Sequence, residues 1–576
     1  MPASQSDRYV IGVDFGTLSA RVLLVNVRNG ETRATAVAKY KNGVIERTLP
    51  GGSKRLPDDT ALQDPADYLQ ALQKATREVI RQGKVSANQI VGIGADFTCC
   101  TVLPTTRQGS PLCSEKKWRG NPHAWVKLWK HHAAQPQANA INSLGEARNE
   151  EFLKIYGGKY SCEWLFSKLL ETRQRAPDVY EAAERFIEGG DWIIWQLCGT
   201  EKRGLSAAGF KAMRVCGANS DEFPSDDFFR SLKLKGVVEG KLLSEFLPPG
   251  ARAGGLTDEM ARRLGLLPGT PVAVGNIDAH AAVAACGVTT PGKLVIIMGT
   301  SSCHLLLSER KETIQGVCGV VKDGVVPGLW AYEAGQAGVG DSFAWFVERL
   351  APRGWTHELL EKEAAKLAPG ETGLLALDWW NGSRFLVDAD LSGVMLGFKL
   401  STEPAEIYRA LIESTAFGTR RIIEAFISKG VAIDEVYACG GLAQRNELLL
   451  QIYADVTGRT LKVAAADQAS ALGAGDVSGS TRASFQRREQ DGSGQKDHAN
   501  HLRDCHAPIN RQIVASEKFN DEARHRVGHQ KANDDFTLEK RLATMQPKRD
   551  QDRQKSLIEL DCVNRKRPFR VCIEQA

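Results

Sequence analysis

The sequence has no uninterrupted apolar run of about 18 residues, the length that a helix needs to cross a bilayer, so it predicts no transmembrane span. Its first residues, MPASQSDRYVIGVDFG, lack the basic start, the apolar stretch and the small-residue cleavage site of a secretory signal. The 13 cysteines are scattered, with no pair at zinc-ligand spacing. We therefore expect a cytoplasmic protein whose cysteines are reduced and mostly buried.

Neither sign of charge dominates the chain. A formal net charge of +5 over 576 residues gives no reason to expect nucleic acid or a membrane surface as a partner, although it is compatible with a small anionic ligand. The hydrophobic fraction of 42% and the charged fraction of 25% are those of an ordinary globular protein. The length predicts two large domains plus a further segment, and it leaves the oligomeric state open, with a homodimer among the allowed arrangements.

The first part of the chain alternates strand and helix. Tyr9 to Val27 reads as a strand, a Gly-Thr-Leu-Ser turn and a second strand, which predicts a hairpin. Apolar residues at helical spacing predict a helix over Asp67 to Gln82, and a buried strand follows at Ile90 to Asp96. This alternation is typical of an α/β core. A long region from Gly109 to Gly269 is rich in Trp and in helical patterns, and we expect it to carry substrate-specific elements.

The opening pattern returns after the middle of the chain. From Lys293 an apolar strand, a Gly299-Thr-Ser-Ser302 tip and another apolar strand follow one another. The two halves therefore look like distant copies of one unit with a boundary near Gly287 to Lys293, which predicts domains over residues 1–288 and 289–475. The other predicted elements are helices over Ala182 to Trp195, Thr402 to Ser428, Asn446 to Thr457 and from near Ala469, and a strand over Glu435 to Cys439.

The pattern stops abruptly after Gly475. Residues 476–576 contain no Trp or Tyr and long polar runs, so they bury too little apolar area to offset their ordering entropy, and we expect disorder. Because the change falls inside a predicted helix, a slip of the reading frame is one explanation. Codons that encode Gly475-Asp-Val-Ser-Gly-Ser-Thr-Arg can, read one base later, encode the apolar helix Ala-Met-Phe-Gln-Ala-Val-Leu. A genuine natural tail is the alternative.

Three glycine-containing turns are candidate phosphate or nucleotide sites. At Gly16, Thr17 and Ser19 the hairpin tip offers backbone N–H groups and hydroxyls to an anion, and Gly299 with Thr300 repeats this arrangement in the other half. Two facing tips could clamp a polyphosphate. The third turn, Gly440-Gly441 to Asn446, lies between a buried strand and a helix, where α/β folds bind nucleotides. Ordinary β-turns and a helix-opening turn are the alternative readings.

Asp278 is the candidate catalytic carboxylate. It follows an apolar strand and precedes a helix of small residues, where it could accept a proton from a hydroxyl group that attacks phosphorus. A helix N-cap is the structural alternative, and Asp before Ala-His-Ala-Ala fits that role as well.

Taken together, these motifs resemble the carbohydrate kinase family that includes glycerol kinase, xylulokinase and ribulokinase. The resemblance covers about Tyr9 to Gly473 and implies two ribonuclease-H-like domains of the actin and hexokinase type, with a catalytic cleft between them. Several of the matching motifs are particular to the ribulokinase subgroup. The full set of matching motifs is Gly12-Val-Asp-Phe-Gly16, Ser161-Cys-Glu-Trp164, Ala208-Gly-Phe-Lys211, Asp278-Ala-His280, Gly299-Thr-Ser301, Glu333-Ala-Gly-Gln336, Leu377-Asp-Trp-Trp-Asn-Gly382 and Asp467-Gln468.

The resemblance also implies roles for individual residues. Asp278 matches the family's catalytic base, and Lys211 and Glu333 match positions that hold the ketose, although as isolated residues both would be read as solvated charges. Asp96 and Cys99 are expected in the sugar pocket, where relatives differ at Cys99 and Cys100. Asp14 is expected to organise Mg²⁺ through water. Arg21 either reaches the phosphates or packs as a surface residue.

The expected reaction is transfer of the γ-phosphate of ATP to the 5-hydroxyl of L-ribulose, with ATP on the second half and the sugar on the first. Closure of the domains would exclude water and prevent wasteful hydrolysis. This would place the protein in L-arabinose breakdown. Two alternatives remain open: a kinase for another pentulose, such as D-ribulose, or for a pentitol, and a catalytically silent chain whose second domain is damaged after Gly475.

Overall fold

The computed structural model describes residues 7–215, 223–242, 245–388, 390–464 and 469–475, and the backbone of three short strands further along the chain. These residues fall into two compact units, Met1–Phe519 and Asn520–Ala576. In the described part of the chain, no helix combines the length and the apolar character that a membrane span requires.

The first half of the larger unit is a mixed α/β structure. Its strands are β1 Tyr9–Phe15, β2 Ser19–Asn26, β3 Thr32–Lys39, β4 Leu62–Gln63, β5 Ile90–Phe97, β6 Val102–Thr105, β7 Val126–Lys127, β8 Arg185–Glu188, β9 Arg203–Gly204, β10 Phe246–Leu247, β11 Arg252–Gly255, β12 Pro271–Ala273 and β13 Asn276–Ile277. Its α-helices are α1 Pro65–Gly83, α2 Gln135–Arg148, α3 Glu151–Ile155, α4 Leu165–Arg175, α5 Pro177–Ala182, α6 Gly189–Cys198, α7 Leu205–Lys211, α8 Asp226–Ser231, α9 Asp258–Leu264 and α10 Asp278–Ala285.

The main sheet of this half runs in the order β11-β12-β5-β1-β2-β3, and β13 also pairs with β5. Strand β1 is antiparallel to β2 and parallel to β5. Every residue of β1 and of β5 is buried, as expected for strands that are covered on both faces. Their C-terminal ends therefore meet at one edge of the sheet.

The second half repeats this plan. Its strands are β14 Lys293–Met298, β15 Ser302–Ser308, β16 Gly319–Lys322, β17 Trp330–Gln336, β18 Leu375–Ala376, β19 Met395–Leu396, β20 Glu435–Cys439, β21 Leu461–Ala464 and β22 Ile509–Ile513. Its helices are α11 Gly340–Arg349, α12 His357–Ala364, α13 Pro404–Ser428, α14 Gly441–Arg445, α15 Glu447–Thr457 and α16 over residues 469–475.

The second sheet runs β16-β17-β15-β14-β20-β21-β22. Strand β14 is antiparallel to β15 and parallel to β20, and β21 is parallel to β20. This matches β1 with its antiparallel neighbour β2 and the parallel neighbours β5 and β12 in the first sheet. The predicted duplication and both predicted hairpins are confirmed. The domain boundaries at 288 and 289 stay predictions.

One predicted helix is wrong in part. The sequence predicts a single helix over Ala182 to Trp195, whereas the chain forms α5, then strand β8, then α6. Strand β8 pairs with β6, so tertiary pairing of Arg185–Glu188 overrides the local helical pattern. The strand matters for the site, because the Glu188 carboxylate at its end accepts a hydrogen bond from Thr101 N at 2.9 Å.

The middle region forms its own aromatic-rich core. A small sheet, β4-β7-β6-β8, lies beside helices α2 to α5. The rings of Tyr156, Tyr160 and Trp164 pack together with centroids 4.8 to 5.7 Å apart. This core also includes Cys100 and, from the second half, Cys318.

The predicted disorder after Gly475 falls mainly on residues outside the described part of the chain. Within that segment the backbone of β22, of β23 Leu557–Leu560 and of β24 Phe569–Cys572 is described, where the composition predicts no order. Strand β22 pairs antiparallel with β21, and β23 pairs with β24 in the smaller unit. Composition averaged over a hundred residues hides short runs that contain apolar residues, such as Leu-Ile-Glu-Leu.

Candidate active site

A cavity of about 530 Å³ is lined by residues of both halves. Most of the predicted site residues lie on its wall. They are Asp14, Gly16, Thr17, Ser19, Arg21, Cys99, Lys211, Asp278, Gly299, Thr300, Glu333, Gly440 and Gly441. Ser470 of helix α16 also lines it, so the C-terminal end of the matched pattern reaches the same cavity.

Two predicted site residues lie elsewhere. Asp96 is 1% exposed and lies beside Asp14, its register partner on the neighbouring strand, and it does not form part of the cavity wall. Asn446 is buried and caps helix α15, where its side-chain oxygen accepts a hydrogen bond from Leu449 N at 2.7 Å. In both cases the sequence gives the correct neighbourhood, but the direction of the side chain is set by packing that a linear motif does not reveal.

Three carboxylates converge where β1, β5 and β13 end. Asp14 and Asp96 are register partners, and Asn276, two residues before Asp278, is the partner of Asp96 on the other side of β5. Asp278 begins helix α10, and its Oδ1 accepts a hydrogen bond from Ala279 N at 2.7 Å. The N-cap of α10 is Ile277, so Asp278 is the first residue of the helix and not its cap. The capping alternative for Asp278 is therefore wrong, and its side chain lies on the cavity wall.

The crowding of these carboxylates changes their protonation. Burial, together with the negative charge of Asp14, raises the pKa of Asp278 to about 7. Burial and the charges of Asp14 and Asp278 raise the pKa of Asp96 well above its usual range. The raised pKa of Asp96 favours its protonated form, and Asp278 is poised to take up or release a proton near pH 7.

The first hairpin tip is held in place by the surrounding protein. Gly16 N donates to Ser19 O at 3.0 Å, and Trp129 Nε1 donates to Thr17 Oγ1 at 3.1 Å. Arg21 Nη1 pairs with Asp14 Oδ2 at 2.8 Å, with its side chain 40% exposed. Arg21 thus lies at the cavity and not on a remote surface. The second tip closes in the same way, since Gly299 N donates to Ser301 O at 3.0 Å.

The glycines on the cavity wall fall into two kinds. A Cβ on Gly16 or Gly299 would meet no protein atom closer than 3.5 Å, so packing alone does not demand glycine there. Gly440 differs, because its φ is +93° and a Cβ would lie 2.4 Å from Met298 O. Gly440 is required by the backbone, whereas Gly16 and Gly299 leave open space beside the cavity for a ligand.

A buried ion pair joins the two halves. Lys211 Nζ at the end of α7 contacts Glu333 Oε1 on β17 at 2.7 Å, and His280 Nε2 lies 3.0 Å from the other oxygen. His280 Nδ1 is in turn 2.9 Å from Ser206 Oγ. Burial alone would raise the pKa of Glu333, but Lys211 and His280 outweigh it and lower that pKa to about 2. The pair is therefore charged, and it faces the cavity.

Sequence reasoning missed a second polar cluster on the wall. Arg384 is largely buried, with Nη2 3.8 Å from Glu163 Oε2 and Nη1 3.5 Å from Ser301 Oγ. Glu163 also lies 3.1 Å from His132 Nε2, and Arg384 packs over the ring of Trp129 at 5.8 Å. Burial would raise the pKa of Glu163, but the Arg384 charge and His132 lower it to about 2. The only sequence signal was that Glu163 lies in a motif of the resemblance and Arg384 follows another.

Two family models match the chain. The N-terminal domain of the FGGY family of carbohydrate kinases matches residues 9–285, and its C-terminal domain matches residues 294–475. Because these two matches cover most of the sequence, the chain belongs to the FGGY family of carbohydrate kinases. The recognised motif Asp467-Gln468 lies outside the described residues.

Curated relatives place the chain more narrowly. A ribulokinase of Shouchella clausii is 52% identical over 480 residues, which cover 81% of this chain and 85% of the relative. A ribulokinase of Bacillus licheniformis is 51% identical over 469 residues, covering 79% of this chain and 84% of the relative. The sequence is therefore similar to ribulokinases over nearly its whole family match.

Solved structures show the same fold at low identity. Xylulose kinase from Rhodospirillum rubrum superposes with a TM-score of 0.70 at 22% identity, covering 91% of this chain and all of that one. Glycerol kinase from Plasmodium falciparum, solved with ADP, gives a TM-score of 0.70 at 15% identity, covering 90% and 96%. The expected actin and hexokinase type of fold is confirmed.

Proposed function

We propose that this protein transfers the γ-phosphate of ATP to O5 of L-ribulose, which yields L-ribulose 5-phosphate and ADP and serves L-arabinose breakdown. One observation carries the proposal. A carboxylate with a pKa of about 7, Asp278, lines the same cavity as two glycine-hydroxyl hairpins from the two halves. The names of the relatives support the choice of sugar.

Asp278 acts as the general base. Because its pKa is about 7, Asp278 can be ionised at neutral pH and can accept the hydroxyl proton as the sugar oxygen attacks phosphorus. Its Oδ1 is fixed by Ala279 N, which limits rotation of the carboxylate. Such positioned proton transfer contributes about 10²–10⁴ in rate.

Lys211 and Glu333 hold the sugar. Both are charged and nearly buried, and together they present donors and acceptors to neighbouring hydroxyls. A sugar that lacked a matching hydroxyl would leave one of them unpaired in the cleft, which costs roughly 1–3 kcal/mol. Cys99 lies on the wall of the same pocket. Because Lys211 and Glu333 come from different halves, the pocket needs both.

The phosphates lie between the two hairpins. Thr17 and Thr300 line the cavity and can offer hydroxyls to the phosphates, and Gly16 and Gly299 leave room for their close approach. Arg384 provides a buried positive charge beside Ser301 for the transferred group. Adenine is assigned to the turn at Gly440-Gly441.

The donor set suits Mg²⁺ that keeps most of its water. Asp14 offers one carboxylate to the cavity, and it shares this carboxylate with Arg21. In the described part of the chain no three His, Cys, Asp or Glu side chains are placed to hold a metal directly. An ion here would rely on water and phosphate oxygens, which is the coordination that Mg²⁺ favours. When bound, it would neutralise phosphate charge.

The direct test is a coupled ADP-release assay on the full-length protein with ATP, Mg²⁺ and L-ribulose, run beside Asp278→Asn. Turnover that requires L-ribulose and falls by about 10²–10⁴ in the variant supports the proposal. Equal turnover in the two proteins would refute the role of Asp278. A panel of D-ribulose, D-xylulose and ribitol distinguishes the alternative substrates by their kcat/KM.

A silent chain is the second candidate, and one observation favours it. The C-terminal family model ends at residue 475, where the apolar pattern of the sequence also stops. If the frame slips there, motifs for the reaction remain while part of the second domain is replaced. Sequencing the DNA around the Gly475 codon tests this: an uninterrupted frame would refute the slip, whereas a one-base change that restores an apolar helix would support it.

A further inference from the structure

Two thiols meet in the sugar pocket. Cys99 and Cys100 are adjacent in sequence, both line the cavity, and Cys100 Sγ is 3.6 Å from Cys99 Sγ. Neighbouring side chains of an extended strand point to opposite faces, so adjacent thiols do not normally meet. Here Cys100 has a φ of 59°, in the left-handed region, and this turn in the backbone brings the two sulfur atoms together.

The loop that carries the pair is held at several points. Lys168 Nζ, itself buried, donates to Cys100 O at 2.5 Å and to Leu128 O at 2.7 Å. Thr101 N donates to the buried Glu188 carboxylate at 2.9 Å. The pair is therefore preorganised, and a ligand that bridges both sulfur atoms needs little rearrangement of the loop.

We propose that Cys99 and Cys100 form a chelating site for trivalent organoarsenicals, and that occupation of this site blocks the sugar pocket. With phenylarsine oxide, C₆H₅As=O, two S–H bonds and the As–O bonds break, two As–S bonds form, and one water leaves. Arsenic stays trivalent, so no oxidant or reductant takes part. The aryl group then projects into the cavity on whose wall Lys211 and Glu333 lie.

The local chemistry favours chelation over single-site alkylation. Alkylating agents need a thiolate, and burial raises the pKa of Cys100 well above its usual range. Arsenic–thiol condensation releases the protons as water, so a protonated pair is competent. The structure thus predicts that Cys100 reacts slowly with iodoacetamide, whereas the close pair of sulfur atoms reacts readily with a bifunctional thiophile.

Other thiols provide the controls. Cys303 and Cys318 of the second half also line the cavity, so a bridge between the halves is a competing arrangement. Cys286 and Cys439 form another close pair. The contact with Cys286, together with burial, raises the pKa of Cys439. Neither cysteine lines the cavity. Cys286→Ala therefore removes a matched pair away from the site.

The experiment measures binding by intact-mass spectrometry and thiol titration on the reduced full-length protein, with phenylarsine oxide as the probe. We expect one added C₆H₅As group and loss of two free thiols, with the probe displaced by 2,3-dimercaptopropanol but not by a monothiol. Cys99→Ser or Cys100→Ser should each raise the half-saturating concentration by about 10²–10⁴, because one thiol loses the advantage of chelation. Cys286→Ala should bind like the parent protein.

Several results would overturn the proposal. These are unchanged binding in both Cys99→Ser and Cys100→Ser, equal loss in Cys303→Ser or Cys318→Ser, or loss in Cys286→Ala. Saturating L-ribulose should slow binding, and this arm alone rests on the proposed function. Because mass and thiol count need no turnover, a chain that lacks kinase activity still tests the thiol site, and the two failures are distinguishable.

Discussion

Replacing Asp278 by Asn should abolish most of the activity and at the same time stabilise the fold. Asn keeps an oxygen that can accept from Ala279 N, so this side-chain contact at the start of α10 is retained. It removes the negative charge that lies close to Asp14. The loss of the proton acceptor should lower kcat by about 10²–10⁴.

The gain in stability follows from the pKa. Asp278 moves from 3.8 in the unfolded chain to about 7 in the fold, about 3 units, which corresponds to about 4 kcal/mol as an upper bound because water in the cavity screens the charge. The raised pKa means that the native protein binds the proton more tightly than the unfolded chain. The parent therefore loses stability as the pH rises from about 4 to about 7, and the cost is complete above pH 7.

Thermal unfolding between pH 4 and pH 8 tests this. The difference in Tm between Asp278→Asn and the parent should be near zero at pH 4, grow with pH and level off above pH 7, at about 2–4 °C for each kcal/mol. Asp258→Asn, at an exposed helix-start position, should show no such pH-dependent gain. The parent's kcat/KM should rise with pH up to about 7. A variant less stable than the parent at pH 8, or a parent whose activity is flat from pH 5 to 8, would refute the reasoning.

Three further predictions follow from the cavity wall. Glu333→Gln leaves the buried Lys211 charge without its partner, so it should destabilise the protein by about 3–5 kcal/mol in urea unfolding and raise KM for the sugar. Adding Lys211→Met to this variant should recover part of the stability, whereas additive losses would contradict the pairing. Arg384→Met should lower kcat by about 10² or more with little change in KM for the sugar. Arg353→Met, at an exposed position, is the control, and equal kinetics for the two variants would exclude a role for Arg384. Gly299→Ala should fold normally yet raise KM for ATP. Gly440→Ala should lower Tm, because its Cβ would meet Met298 O. A lower Tm for Gly299→Ala than for Gly440→Ala would contradict the geometry of the cavity wall.

Local pattern predicted the elements that frame the site. Strong periodicity and clear turn residues predicted three of these elements. They are the hairpin that begins at Tyr9, the helix Pro65–Gly83 and the strand Glu435–Cys439. The segment around Arg185 was not, since its strand exists only through pairing with β6. Short-range periodicity therefore predicted the central strands of both large sheets, but not their outer strands or the small sheet β4-β7-β6-β8.

The site was predictable where chemistry sits on a turn and unpredictable where it comes from packing. Thr17, Asp278 and Gly299 follow strands at their C-terminal ends, so their convergence follows from the fold. Arg384 lies in an irregular segment, and its position depends on contacts with Glu163 and Trp129 from the other half. No spacing rule links residues more than 200 positions apart.

The two copies of the duplicated unit carry different residues at the cavity end of their sheets. On the first sheet the residues at the cavity end are Asp14, its parallel partner Asp96 and its antiparallel partner Arg21. On the second sheet, Ile297 lies two residues before Gly299, as Asp14 lies two residues before Gly16. Its parallel partner is Cys439 and its antiparallel partner is Cys303.

One copy of the unit thus carries charged side chains at this edge, and the other carries uncharged side chains beside the Gly299-Thr300 turn. A charged edge suits a proton acceptor, hydroxyls and a hydrated cation, whereas an uncharged edge beside a glycine-hydroxyl turn suits a nucleotide base and its phosphates. Placing a carboxylate at Ile297 would bring negative charge against the phosphates. Ile297→Asp should therefore weaken ATP binding in calorimetric titration while leaving L-ribulose binding close to that of the parent, and equal weakening of both ligands would contradict the assignment of nucleotide and sugar to separate halves.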